Sequence, residues 1–170
     1  MNILLLTGMS GSGKTTIARA LSNDDSNFSL IRSYTDRSRR IDENKVDHHF
    51  ISKRIMKLML TYDIVASTYI NGHYYCSTFS QFDKHKINVY VVDKNGIDDV
   101  KKSFKDAQIF SVLVQRDNID IDQTRKERNI SIPDIEDVDF VLQNNENLSK
   151  VVEELKQKVL PIFGVEYVQD

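Results

Sequence analysis

The segment Gly8-Met9-Ser10-Gly11-Ser12-Gly13-Lys14-Thr15 has the residue types and spacing to hold a polyphosphate. It fits the P-loop pattern of a glycine, four residues, a second glycine, a lysine and a hydroxyl residue. Gly8, Gly11 and Gly13 free the backbone to wrap phosphates with its N–H groups pointing inward, and Ser10 and Ser12 complete that wrap. Lys14 is placed to reach the β- and γ-phosphates as a point charge, and Thr15 to offer its hydroxyl to Mg2+. Thr16 opens a segment that reads as a helix, whose positive N-terminal end would face the same phosphates. The competing reading is a Gly/Ser-rich turn between a strand and a helix. An apolar run before the motif, the full motif, and a helical pattern after it favour a nucleoside triphosphate site.

A second group of chemistry-bearing residues lies in Ser33-Tyr34-Thr35-Asp36-Arg37-Ser38-Arg39-Arg40. Guanidinium is a planar fork that grips phosphate oxygens in pairs, so Arg37 and Arg40 on one loop could hold a phosphomonoester. A solvated basic loop is the plainer alternative. Three more polar segments, Val46–Phe50, Gly72–Thr78 and Asp93, supply partners for a second anion site. Asp93–Gly96 and Asn44–Asp47 also fit short GTPase patterns, but in the reverse order and without the expected strand before the second. His48-His49 could be read as a metal pair, yet adjacent residues of a strand face opposite ways.

These residues must be positioned by the remaining elements. Leu4–Leu6, Phe28–Arg32, Lys86–Val92, Gln108–Val114 and Phe140–Leu142 read as strands, and Thr16–Leu21, Ser52–Leu60, Ile97–Phe104 and Leu148–Leu160 as helices. Pro161 is expected to end the last of these. Ile64–Ile70 and His73–Cys76 flank Asn71-Gly72, a strong hairpin signal. Strands alternating with helices predict an α/β fold of the P-loop NTPase type, with a parallel sheet between two helix layers. A small insert containing the hairpin would carry the second site. At 170 residues the expectation is one domain, 1–170, with core segments 1–32, 86–115 and 134–170. The insert would span 33–85 and a short lid about 116–133. A net charge of -2 gives no reason to expect a nucleic-acid partner, and no apolar run is long enough to suggest a membrane. The single cysteine, Cys76, excludes an internal disulfide, and Met1 abuts the first strand. The expectation is a cytoplasmic protein without a leader.

GMSGSGKTT, SYTDRSRR, VDHHF, NGHYYCST and VVDKNG occur in the order, and nearly at the spacing, of the motifs of guanylate kinases, and the chain resembles that family over roughly residues 1 to 160. A late D-x-V-L-x-N run at Asp139–Asn144 extends the likeness. The resemblance implies an ATP- and Mg2+-dependent nucleoside monophosphate kinase, monomeric or homodimeric, whose partners are ATP and a (deoxy)nucleoside monophosphate. Arg37 and Arg40 would grip the acceptor phosphate with Tyr75, and with His48 in the place of a family tyrosine. Ser33 and Ser77 would bond the acceptor nucleotide, Glu43 would stand near a family acidic position, and Asp93 would lie between the nucleotide and the metal shell. In the lid, Arg125 and Arg128 would bridge the transferring group, although Arg116, Lys126 and Glu127 around them also fit a solvated charge run. A monophosphate is already nearly dianionic, so the reaction needs no general base.

One departure concerns base choice. The family reads guanine partly through a glutamate six residues before the G-x-Y-Y motif, a position that is Ala66 here. Guanine discrimination is therefore expected to be weaker, or shifted to another base. Asp63 is expected on the opposite strand face, and Ser67 or Thr68 to reach the site only with a bulge or a register shift. Two other readings stay open: a kinase of the same fold acting on another phosphorylated acceptor, and a binding module without catalysis. The intact Gly13, Lys14 and Thr15 speak against the second.

Overall fold

The computed structural model describes residues 1–41, 47–117, 119 and 132–167. In chain order the elements are β1 (Asn2–Thr7), α1 (Lys14–Asp24), β2 (Phe28–Ile31), β3 (Tyr34–Thr35), β4 (His49–Phe50), α2 (Lys53–Met59), β5 (Ile64–Ile70), β6 (His73–Thr78), β7 (Ile87–Val91), α3 (Lys94–Ser103), β8 (Gln108–Gln115), β9 (Phe140–Gln143) and α4 (Leu148–Ile162). Five strands form one sheet in the order β2-β7-β1-β8-β9, and every pair in it is parallel.

β1 is apolar from Ile3 to Leu6 because it is the central strand and both of its faces are covered. Its side chains alternate. Leu4 and Leu6 join the core under α1 and α4, while Ile3 and Leu5 join the core under α3 and β5. α1 buries Ile17, Ala18 and Leu21 on one stripe, and α4 buries Val151, Val152, Leu155, Val159 and Leu160. Asn147 caps α4 by accepting from the Lys150 N–H at 3.0 Å. The helix runs past the stop expected at Pro161 to Ile162. Near a C-terminus a proline forfeits a single backbone bond, and Gly164, at φ 72°, turns the chain after it.

A second sheet, in the order β4-β3-β6-β5, packs beside the first. The segment that carries Arg37 also holds β3, a two-residue strand too short to give a periodic signal in the sequence. It pairs parallel to β4 and antiparallel to β6. The hairpin at Asn71-Gly72 is present, with φ of 50° and 81°, the paired positive angles of a tight hairpin turn. Cys76 on β6 is buried with its Sγ 3.6 Å from Sδ of Met56 on α2. Burial pushes its thiol up to about 11.

Consecutive strands turn to opposite sides at β1: β1 lies between β7 and β8, and the chain leaves it toward β2 and β7 before crossing to β8. Open α/β sheets form a crevice at such a point, outside the carboxyl ends of the strands. Gly8 after β1, Asp93 after β7 and Arg116 after β8 all open onto it.

Candidate active site

A cleft of about 500 Å3 occupies this crevice, between the carboxyl end of the parallel sheet and the smaller sheet. The glycines on its phosphate side are required by contact as well as by φ. Gly8 has φ 132°, and a Cβ there would collide with the Val114 carbonyl oxygen. Gly13 has φ 95°, and a Cβ there would collide with the Asn144 side-chain amide. That amide donates to the Ser12 carbonyl at 2.6 Å, and the Asn144 backbone N–H donates to Gln115 at 2.7 Å. Asn144 thus ties the loop to the neighbouring strands.

The Lys14 ammonium donates to the Gly8 and Met9 carbonyls at 2.7 and 2.6 Å. Desolvation inside the loop lowers its pKa to about 8. It is therefore charged at neutral pH, but only by a small margin.

The opposite wall is made of side chains. Arg37, 9% exposed, donates from Nε to the Tyr75 hydroxyl at 2.7 Å and from Nη1 to the Ser38 carbonyl at 3.0 Å. Its guanidinium also lies 5.4 Å from the Phe50 ring centroid and 5.8 Å from that of Tyr75. Asp36 accepts from the Tyr74 N–H at 2.9 Å and so fastens the arginine loop to β6. His48 meets Tyr75 edge-on at 5.5 Å, whereas His49 stacks on Tyr34 at 4.8 Å. Burial, and then the charge of Arg32, lower the His49 pKa. An ion pair between Arg19 of α1 and Asp47, at 3.4 Å, joins this wall to the phosphate side.

The floor holds Ser33, whose hydroxyl lies 3.4 Å from that of Tyr90, and Ala66, which pairs across the strands with the fully buried Ser77. Burial raises the Tyr90 pKa, keeping it neutral. Asp93 caps α3 by accepting from the Gly96 N–H at 2.8 Å, and its other oxygen accepts from the Thr68 hydroxyl at 2.5 Å.

Among the residues singled out from sequence, Gly8, Ser10, Gly11, Gly13, Lys14, Thr15, Thr16, Ser33, Arg37, Arg40, His48, Ala66, Tyr75 and Asp93 line this one cleft. Ser12 and Ser77 are buried and are not among its lining residues. Glu43, Arg125 and Arg128 fall outside the described residues. The expectation for Thr68 needs correction. The β5 irregularity lies between Ile64 and Ala66, and Thr68, two residues after Ala66, reaches the cleft by plain alternation. Sequence reasoning also passed over Tyr90 and Asn144. Asn144 ends the D-x-V-L-x-N run, the one signal that could have marked it.

Comparison with known proteins agrees with this geometry. Over 118 residues the chain is 30% identical to the guanylate kinase of Methylobacillus flagellatus, a match covering 66% of this chain and 58% of that protein. Over 75 residues it is 40% identical to the guanylate kinase of Agrobacterium fabrum, covering 43% of this chain and 34% of that one. These matches span about half the relatives' length or less. The crystal structure of guanylate kinase from Anaplasma phagocytophilum superposes with a TM-score of 0.72 at 19% identity, over 97% of this chain and 87% of that one. No protein-family model matches the chain. Relatives by sequence and a shared fold both point one way: the chain is similar to guanylate kinases in sequence and has their P-loop fold.

Proposed function

We propose that this chain is a nucleoside monophosphate kinase, transferring the γ-phosphoryl group of ATP to GMP, dGMP or a related (deoxy)nucleoside monophosphate. One observation carries this reading. The P-loop and the arginine wall of Arg37, Arg40, His48 and Tyr75 face each other across a single cleft. Two anion-binding surfaces so arranged suit a reaction whose main difficulty is to bring two repelling polyanions into line.

On the donor side, the loop N–H groups and Lys14 would hold the β- and γ-phosphates. On the acceptor side, Arg37 enters the reaction already oriented by Tyr75, Ser38 and Phe50, so little side-chain entropy remains to be lost. Arg40 and His48 would complete the grip, and Arg116 would reach toward the transferring group. Arg125 and Arg128 remain part of the proposal as lid residues. The acceptor oxygen is already ionised, so no residue need remove a proton.

Mg2+ suits the donors present. Thr15 and Asp93 supply hard oxygen atoms at the cleft, and among the described residues no group of three or more His, Cys, Asp or Glu converges on one point. Magnesium commonly keeps water and substrate phosphate as ligands instead of a full protein cage. Thr15 would contact the ion, and Asp93 would act through water. When bound, the ion neutralises phosphate charge.

The test is transfer from ATP to a panel of ribo- and deoxynucleoside monophosphates, with and without Mg2+. Formation of a nucleoside diphosphate that requires both metal and acceptor is expected. ATP hydrolysis without transfer to any of them would overturn the proposal.

A further inference from the structure

Resting on the monophosphate kinase reading, we propose that Thr68, acting with Asp93, is the base-reading element of the acceptor pocket. Position 66 is an alanine and offers the base no hydrogen bond. Thr68, half-buried on the same face of β5 two residues on, donates its hydroxyl proton to Asp93 Oδ2 at 2.5 Å. Having spent that proton, Thr68 Oγ1 presents only lone pairs to the cleft. Asp93 Oδ2 beside it is a carboxylate oxygen that already accepts from Thr68, and it too serves as an acceptor. The pair therefore presents two neighbouring acceptors on an otherwise neutral floor of Ser33 and Tyr90 hydroxyls.

Two adjacent acceptors complement a base edge with two adjacent donors. Guanine has that edge in its ring N–H and neighbouring amino group. Adenine and cytosine bring an amino group beside a ring acceptor, and uracil and thymine bring one N–H between two carbonyl oxygens. A mismatched base would place an acceptor against Thr68 or Asp93, with neither able to donate, and such unpaired contacts carry the largest discrimination. The inference reverses the weaker guanine preference expected from Ala66 alone: the acceptors have moved along the strand and have not been lost. Asp93 is fixed at both oxygens, by Gly96 and Thr68, so the pair is preorganised.

The experiment compares GMP, AMP, CMP and UMP for the unmodified chain, Thr68→Val and Thr68→Ser, by kcat/KM with ATP and by calorimetric binding of GMP and UMP without ATP. The unmodified chain should favour GMP. Thr68→Val, nearly the same shape, should reduce the GMP-to-UMP ratio about tenfold, Thr68→Ser should restore it, and the KM for ATP should stay put. A GMP-to-UMP ratio unchanged in Thr68→Val, or no base preference in the unmodified chain, would overturn the inference. Binding separates the two readings. Preference for GMP that depends on Thr68, without turnover, keeps the pair and rejects the kinase. Turnover with a base ranking indifferent to Thr68→Val keeps the kinase and rejects the pair.

Discussion

The two sides of the cleft are built by different means. The phosphate loop is one continuous stretch, Gly8 to Thr16, whose shape is set by backbone angles and close contacts. The opposite wall is collected from separate segments, Ser33 to Arg40, His48, Ala66 to Tyr75 and Asp93, and is held by bonds that its side chains make. A backbone cradle tolerates changes outside the loop but little inside it. A side-chain wall can be altered one contact at a time, with graded results. On the proposed reading, substrate choice would be free to vary on the wall while the phosphate chemistry stayed fixed in the loop.

The sharpest way to break this contrast is at Lys14. Its charge would matter most as negative charge shifts toward the leaving oxygen, so Lys14→Ala should lower kcat by about a thousandfold with the fold intact by circular dichroism. Near-normal turnover would remove the loop from the chemistry. Next in size is Arg37→Ala. Losing a charge-assisted contact of about 1.5–3 kcal/mol should raise the acceptor KM roughly tenfold to a hundredfold and leave the KM for ATP alone. An effect on ATP instead would mean that the two sides are not separable. Arg40→Ala should act in the same sense but more weakly, because Arg40 is exposed where Arg37 is buried.

A third prediction separates the sides by pH. Lys14 titrates at about 8 in the free loop, and bound phosphates would raise that value. ATP binding should therefore weaken as pH rises through about 8 and draw a proton from solution there, while the Arg37 contacts do not titrate. Linkage to folding has the opposite slope. Burial disfavours charged Lys14, a cost fully present below about 8 that disappears as pH rises toward 10.5, the ordinary lysine value, so this group makes the fold more stable with rising pH across that window. Binding titrations in buffers of different ionisation heat would detect the proton uptake. The smallest effect belongs to Tyr75→Phe, which removes the partner of Arg37 Nε and should cost the acceptor KM at most about tenfold.

The same contrast explains what could be read from sequence. The phosphate loop was legible because its geometry is local and each residue's role follows from its neighbours. Arg37 and Tyr75 were legible only as parts of separate short motifs, and their 2.7 Å bond spans 38 residues. Thr68–Asp93 and Asn144–Ser12 span 25 and 132 residues, and nothing in a threonine or an asparagine alone announces such a partner. The parallel sheet showed itself through buried apolar runs. β3 and β4 did not, because two residues carry no period: β3 is placed by its pairing with β6, and β4 by its pairing with β3. Base reading is hard to infer from sequence for a related reason: a missing carboxylate is visible there, while a hydroxyl bonded to a carboxylate 25 residues away is not.

Cys76 gives the molecule an internal clock. It is the only cysteine in the chain, adjoins Tyr75, and is sealed between β6 and Met56 of α2. With its thiol pushed up to about 11, only a minute fraction is reactive thiolate at neutral pH, so an alkylating reagent is consumed chiefly during excursions that pull β6 from α2 and expose the sulfur. The labelling rate then counts those excursions without any engineered probe. A monophosphate bridging Arg37 and Tyr75 should slow the count, and ATP alone should leave it nearly unchanged.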